Sequence, residues 1–417
     1  MSLRTAALVL SLAAALPATA TELRIASWNL GWHVSTAELP AWLGQCGKSY
    51  AKGADGVWQP TAAGSEGAQI GWQIKESRAR LAGVDLAVMP PCGVYEAPGR
   101  VALAVTPGAW SDRNRRLAAM LDKDVNADVI AFQEVSGTTA VREALGTKSA
   151  DYEVCSFDGR HKVQRLAFAW RKTLGTGTCS VEEAIALPQQ TPLNQVRPGL
   201  VLTLKTGEQT LRLLNLHLKS SCVTPLDGRG VLDRNRGVED PCPILEQQVA
   251  PLEAVVEKLA EAGGKFIVLG DFNRNLAHEA GAGVPAKRSD GETDLTKPRA
   301  ALVSTSNLFR EVFDGVPAAT RAQLVAITCP LEGALCERAK SEVLPREDYQ
   351  RLGRAMGCRN AVGLDHFVVS AALAEQVQGA AKIALGDAGE SRTPEAGSND
   401  PRLGVSDHCP AVLRLKF

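Results

Sequence analysis

Apolar positions along the chain fall into short runs with the two-residue period of strands, and several runs end on a polar residue. ELRIASWNL, residues 22–30, alternates and then turns apolar, predicting a first strand. ADVIAFQEV, 127–135, is a mostly apolar strand that closes on Gln133-Glu134. RLAFAWRK, 165–172, and LVLTLK, 200–205, read as further strands. The clearest is TLRLLNLHLKS, 210–220: Leu214, Leu216 and Leu218 share one face while Asn215 and His217 share the other. FIVLG, 266–270, is an apolar run from which Asp271 and Asn273 emerge, and LDHFVVS and AVLRLKF supply the last strands. Helical periodicity appears in RNRRLAAMLDKD, with Ser111 as its expected cap, and over residues 246–262. Strands mixed with helices predict an α/β or α+β domain of enzyme size.

Three regions break the pattern. Residues 33–110 form a Gly-, Ala- and Pro-rich insertion that holds four of the seven tryptophans, whose scatter favours core packing. Loops at about 219–245 and 280–360 vary without a clear period. The first twenty residues stand apart as well. Arg4, the apolar stretch 6–16 and Ala18-Thr19-Ala20 have the layout of a cleaved signal peptide, which makes 21–417 the mature single domain. A membrane anchor is the weaker reading because the run falls short of the roughly 20 apolar residues a span needs.

Ten cysteines suit export to the periplasm or outside the cell, where they can pair. Cys222 with Cys242, Cys155 with Cys179, and Cys46 with Cys92 are plausible pairs, whereas Cys409 reads equally as bonded or as buried and free. Zinc is the rival use, but the chain contains no C-x-x-C spacing. Charge is balanced, with 46 basic and 46 acidic residues. That balance argues against a strongly basic nucleic-acid clamp, but not against a site that meets phosphate through a metal.

The polar residues at strand ends form a series: Asn29, Glu134, Asn215 with His217, Asp271 with Asn273, Asp365, and Asp407-His408. Any one has a bland explanation as a turn former, a cap or a satisfied core residue. Together they supply hard oxygen ligands, two imidazoles and two amides, the set that hydrolysis of a phosphate ester requires.

Trp28-Asn29, Gln133-Glu134-Val135, Asn215-Leu216-His217, Gly270-Asp271-Phe272-Asn273, Leu364-Asp365-His366 and Ser406-Asp407-His408 resemble, in this order, the motifs of the endonuclease/exonuclease/phosphatase superfamily. The resemblance implies a four-layer α/β/β/α sandwich of the DNase I type, with loop insertions and the site at one end of two packed sheets. It implies Glu134 as principal metal ligand, supported by Asn29 and Asp407. It implies Asp271 as the group that orients or deprotonates water, and Asn273 as the group that positions the water or the phosphate. His217 and His408, the latter held by Asp365, would bind the non-bridging oxygens. Asn215 and Arg165 are candidate substrate contacts. Mg²⁺ is the expected cofactor, with Mn²⁺ or Ca²⁺ as alternatives.

The first functional expectation is an exported monomeric nuclease of low sequence specificity, with nucleic acid as substrate, no stable protein partner and no membrane span. The alternative is a phosphatase or phosphodiesterase acting on a lipid headgroup or small ester. An inactive binding module should have lost Glu134, Asp271, Asn273 or His408, and all four are present. Arg115 and His33, His161 and His278 are expected at the surface, and His366 in a structural role. Arg229, Arg234 and Arg236 are nearly cancelled by Asp227, Asp233, Glu239 and Asp240.

Overall fold

A computed structural model describes residues 22–75, 80–191, 195–223, 242–280, 308–331, 334–342 and 344–417. The expected signal segment, Arg229, Arg234, Arg236 and their acidic neighbours lie outside the described residues.

Among the described residues, thirteen strands build two sheets. In chain order they are β1 (Glu22–His33), β2 (Val129–Val135), β3 (Tyr152–Ser156), β4 (Arg165–Arg171), β5 (Thr176–Glu182), β6 (Gly199–Thr206) and β7 (Gln209–His217). There follow β8 (Phe266–Asp271), β9 (Ala322–Leu324), β10 (Ile327–Thr328), β11 (Asp365–Ser370), β12 (Val377–Lys382) and β13 (Ala411–Lys416). One sheet has the order β10-β12-β13-β1-β2-β4-β3 and the other β5-β6-β7-β8-β11-β9. β1 runs parallel to β2, and β7 runs parallel to β8, so polar residues at their C-terminal ends emerge on the same side.

Side-chain alternation places these sheets face to face. Ile25, Val129, Ala131 and Phe168 of the first sheet meet Leu202, Leu211, Leu213 and Leu269 of the second in one buried core. The opposite faces bury under helices. α1 (Pro107–Met120) and α2 (Thr138–Leu145) cover Trp28, Ile130 and Phe132, together with α4 (Arg346–Met356). α3 (Cys242–Glu261) covers Leu214, Leu216 and Val268. The α/β/β/α layering expected from the motifs is the observed one.

α1 begins four residues before the expected cap at Ser111. The Thr106 hydroxyl accepts the Ala109 N–H, and Pro107 occupies the first turn, where its missing N–H costs nothing. The insertion forms a subdomain with its own four-stranded sheet and a core built on Trp42, Trp72 and Trp110. The tryptophans are thus packing residues, as their scatter suggests.

His33 and His278 are buried, not superficial. His33 stacks on Trp110 with 5.6 Å between ring centroids and bonds to Arg113 at 2.8 Å, while His278 lies 3.0 Å from the Ala339 carbonyl. A lone histidine carries no periodicity that announces such partners. Arg115 is exposed and paired with Asp112. The disulfides are Cys46–Cys92, Cys155–Cys179, Cys222–Cys242, Cys329–Cys336 and Cys358–Cys409.

Candidate active site

The site forms where the inner faces of the two sheets run out. On β7 the inward positions are Leu211, Leu213, Asn215 and His217, so the residue nearest the strand end clears the core and reaches the cleft. β8 closes on Gly270-Asp271, and the Gly270 backbone (φ +130°) leaves a would-be Cβ 2.2 Å from the Leu216 carbonyl oxygen. No other residue fits there, which explains the glycine before Asp271.

Asp271 sits on the floor, almost fully buried. Its Oδ1 accepts the Asn273 N–H at 2.8 Å, and its Oδ2 accepts the Asn29 Nδ2–H at 3.0 Å. Asn273 adopts a left-handed φ of 51° and donates Nδ2–H to the Leu218 carbonyl at 3.1 Å. Glu134 also has positive φ, at 54°, within an irregularity where β2 loses register with both β1 and β4. Such strained backbone turns a side chain into a cleft that regular pleating would deny it. Glu134 Oε2 accepts the Trp32 N–H at 3.0 Å, and Oε1 lies 3.4 Å from Asn29 Nδ2 and 3.5 Å from His217 Nε2.

The two histidines are held in opposite protonation states. Burial, aided by Arg197, depresses His217 far below the usual imidazole range, so it is neutral, and among the described residues its Nδ1 has no hydrogen-bond partner. Burial also opposes charge on His408, but Asp365 and Asp271 outweigh it and push His408 up to about 10. Its Nδ1 lies 3.1 Å from Asp365 Oδ2 and its Nε2 lies 3.8 Å from Asp271 Oδ2. Asp365 is itself anchored by buried Lys382, whose Nζ donates at 2.7 Å and bonds the Cys409 carbonyl at 2.8 Å. Burial works against the Asp365 charge, but Lys382 and His408 hold its carboxyl well below the usual range.

Burial and the neighbouring Asp407 push Glu134 up to about 7. Burial likewise raises Asp271, an effect that His408 offsets in part. Glu134, Asp271 and Asp407 thus gather three carboxyl groups in the lining of the cleft, and their hard oxygens suit a divalent cation. Asp271, Asp365 and His408 bring ligand-type atoms within 4.8 Å of one another. That trio is a poor metal set, because His408 is protonated and Asp365 is taken up by Lys382. Asp407 stands at the mouth, its Oδ2 accepting from Arg359 at 2.5 Å and Asn360 at 3.0 Å.

Most of the expected residues meet in one cleft of about 600 Å³ that contains Glu134, His217, Asp271, Asn273, Asp407 and His408. Asn29 lies just beneath as a hydrogen-bonded bridge between Glu134 and Asp271. Two expected substrate contacts do not reach it. Asn215 is fully buried between the sheets, accepting from Gln133 Nε2 at 2.8 Å and donating to the Phe132 and Ala167 carbonyls. The alternation holds, but two residues of strand put Asn215 too deep. Arg165 donates to the Ser136 carbonyl at 3.1 Å and pairs with Asp158 at 3.3 Å, outside the cleft wall. His366 is structural: its Nε2 lies 3.0 Å from the Arg274 carbonyl, and its ring packs on Phe272. Lys382 and Arg197 belong to the site although neither stands in a motif. Arg197 is buried, lines the cleft and donates Nη2–H to the Leu218 carbonyl at 2.6 Å. Its only sequence signal is its position two residues ahead of β6, beside the Asn-Leu-His strand.

The motif order and the shared cleft agree with a family profile for the endonuclease/exonuclease/phosphatase family, which matches residues 99–408. The chain belongs to that family. Enzymes of the family are phosphoester hydrolases that generally depend on divalent metal. No functionally curated protein matches the chain at a significant level. Among solved structures, humanised D. rerio TDP2 is 16% identical, with 95% of this chain and 99% of that one covered and a TM-score of 0.40. D. rerio TDP2 complexed with single-strand DNA product is 15% identical, with coverages of 95% and 100% and a TM-score of 0.41. An endonuclease/exonuclease/phosphatase family protein from Bacteroides thetaiotaomicron is 13% identical, with coverages of 95% and 98% and a TM-score of 0.44.

Proposed function

We propose that the protein is an exported, metal-dependent phosphodiesterase that cuts nucleic acid with little sequence preference. The observation that carries this reading is Asp271, poised between neutral His217 and cationic His408 on the cleft floor. Asp271 is raised towards neutrality by burial, which suits a group that takes a proton from water. Asn29 and the Asn273 backbone aim its two oxygens, and the Asn273 side chain sits where it can orient the incoming water or phosphate. His408, kept charged by Asp365, offers a fixed N–H to the phosphoryl oxygens as negative charge builds on them. His217 donates from a neutral ring, and the buried Arg197 guanidinium adds positive potential behind it.

A divalent cation bound through Glu134 and Asp407 would polarise the phosphoryl group and offset its charge. Mg²⁺ is the first candidate, since carboxylate oxygens and water are its preferred partners. Export is supported by the five disulfides and by the apolar leader sequence. No helix among the described residues is long and apolar enough to cross a membrane.

The test incubates disulfide-formed protein with supercoiled plasmid and Mg²⁺ or Mn²⁺, beside EDTA and an Asp271→Ala variant. Metal-dependent nicking that disappears in both controls is the expected outcome. A folded, metal-binding protein that leaves plasmid intact but hydrolyses a phosphomonoester or a lipid phosphodiester would overturn the assignment of nucleic acid.

A further inference from the structure

The active-site cleft opens directly into a second hollow of about 990 Å³, and Glu96, Arg359, Gly389 and Ser391 line both. One wall of this trough is the hairpin of the insertion, Glu96–Ala97 with Val101–Ala102, which carries Arg100 near its turn. The facing wall is α4, from which Arg346 and Arg354 project. These two arginines are eight residues apart, so they fall on one helix face with about 12 Å of axial separation. The Cys358–Cys409 disulfide ties the end of that wall to the residue after His408.

The charge in the trough is uncompensated. Arg100, Arg346 and Arg354 are exposed, and among the described residues none of them has an ion-pair partner. The two acids in the walls are already neutralised from outside, Glu96 by Lys75 at 2.5 Å and Glu390 by Arg392 at 2.8 Å. A neighbouring hollow shows the contrast: its arginines Arg115, Arg116, Arg392 and Arg402 are all ion-paired. A protein with balanced total charge has therefore left three guanidinium groups unpaired along one open path from its reaction centre. Guanidinium groups so arranged match a chain of phosphates, whose charges recur along a flexible backbone.

We infer that this trough is the binding track for the polynucleotide strand beyond the scissile phosphate, with Arg100, Arg346 and Arg354 as phosphate contacts and Arg359 at the junction. The inference rests on nucleic acid being the substrate, and it fixes where affinity for long substrates is generated. Because the contacts are to backbone phosphate, they add affinity without sequence preference.

The experiment compares wild type with R346A/R354A. Binding of a fluorescein-labelled single-stranded oligothymidylate of twenty nucleotides is followed by anisotropy in EDTA at several salt concentrations. Turnover of the same oligonucleotide and of bis(p-nitrophenyl) phosphate, which is too small to occupy the trough, is followed with Mg²⁺. The expected result is about tenfold weaker binding for the variant, and a salt dependence lower by about 1.4 in log–log slope because two phosphates are no longer neutralised. KM for the oligonucleotide rises correspondingly, while bis(p-nitrophenyl) phosphate is hydrolysed at the wild-type rate. Unchanged affinity and slope in the variant, with wild type active on the oligonucleotide, would overturn the track and leave the nuclease assignment standing. Wild type that hydrolyses bis(p-nitrophenyl) phosphate but neither binds nor cuts the oligonucleotide would overturn both. Equal losses on both substrates would make the two arginines structural and would also refute the track.

Discussion

Removing the charge of Asp365 tests how the site holds His408. In Asp365→Asn, Lys382 keeps its charge but loses its carboxylate partner while remaining only 3% exposed. Removing one member of a buried ion pair costs about 3–5 kcal/mol, because the survivor is left uncompensated. At about 2.1 cal/mol/K per residue, the 417-residue chain has an unfolding entropy of about 0.9 kcal/mol/K. The expected fall in Tm is therefore about 3–6 °C.

His408 contributes with a definite sign. Its pKa is raised on folding from 6.5 to about 10, so its stabilising contribution is full below 6.5 and is lost as pH rises through about 10. The deficit of the variant should therefore narrow in strongly alkaline buffer. Turnover should fall by about 10²–10⁴-fold, the usual effect of losing the carboxylate that orients a catalytic imidazole. The discriminating variant is D365N/K382M, which leaves neither charge of the pair. Calorimetry should show most of the lost Tm recovered, since apolar replacement of a buried pair is often neutral. Phosphodiester turnover should stay low, because His408 still lacks its partner. A double variant that regains activity together with Tm would refute the reasoning and reduce Asp365 to a stabilising residue.

Metal binding should release protons, because Glu134 with a pKa of about 7 must ionise to act as a ligand. Titration calorimetry in two buffers of different ionisation enthalpy should give about 0.9 proton released per Mg²⁺ at pH 6 and about 0.1 at pH 8. Absence of release at pH 6 would remove Glu134 from the metal set. Asn215→Ala should cost about 2–4 kcal/mol by stranding buried partners between the sheets, and leave kcat/KM per folded molecule within about threefold. A loss of activity of about a hundredfold at unchanged Tm would return Asn215 to the substrate.

What the sequence reveals about this protein follows from the range over which each signal acts. Strand alternation is local, so the faces of β7 and the emergence of Asp271 from β8 are legible without tertiary information. The motifs add the long-range fact that these strand ends converge. Depth is not encoded in alternation: Asn215 and His217 share a face, yet one locks two sheets together and the other meets solvent space. Burial of isolated polar residues is harder still to read. Lys382 in VQGAAKIAL gives no hint that Asp365 waits on the facing sheet, and His33 gives none of Arg113.

The insertion and the segment around α4 carry the same lesson for substrate preference. Neither contains a family motif, and neither composition announces a substrate surface. Packed against the ends of the sandwich, they become the two walls of a trough that begins where the catalytic cleft ends. In the proposed function the chemistry belongs to residues that the motifs name. The length and charge of what can be held beside it depend on arginines that no local pattern distinguishes from ordinary surface cations. Affinity for polymer and competence for hydrolysis should therefore be separable in this chain by substitutions on opposite sides of Arg359.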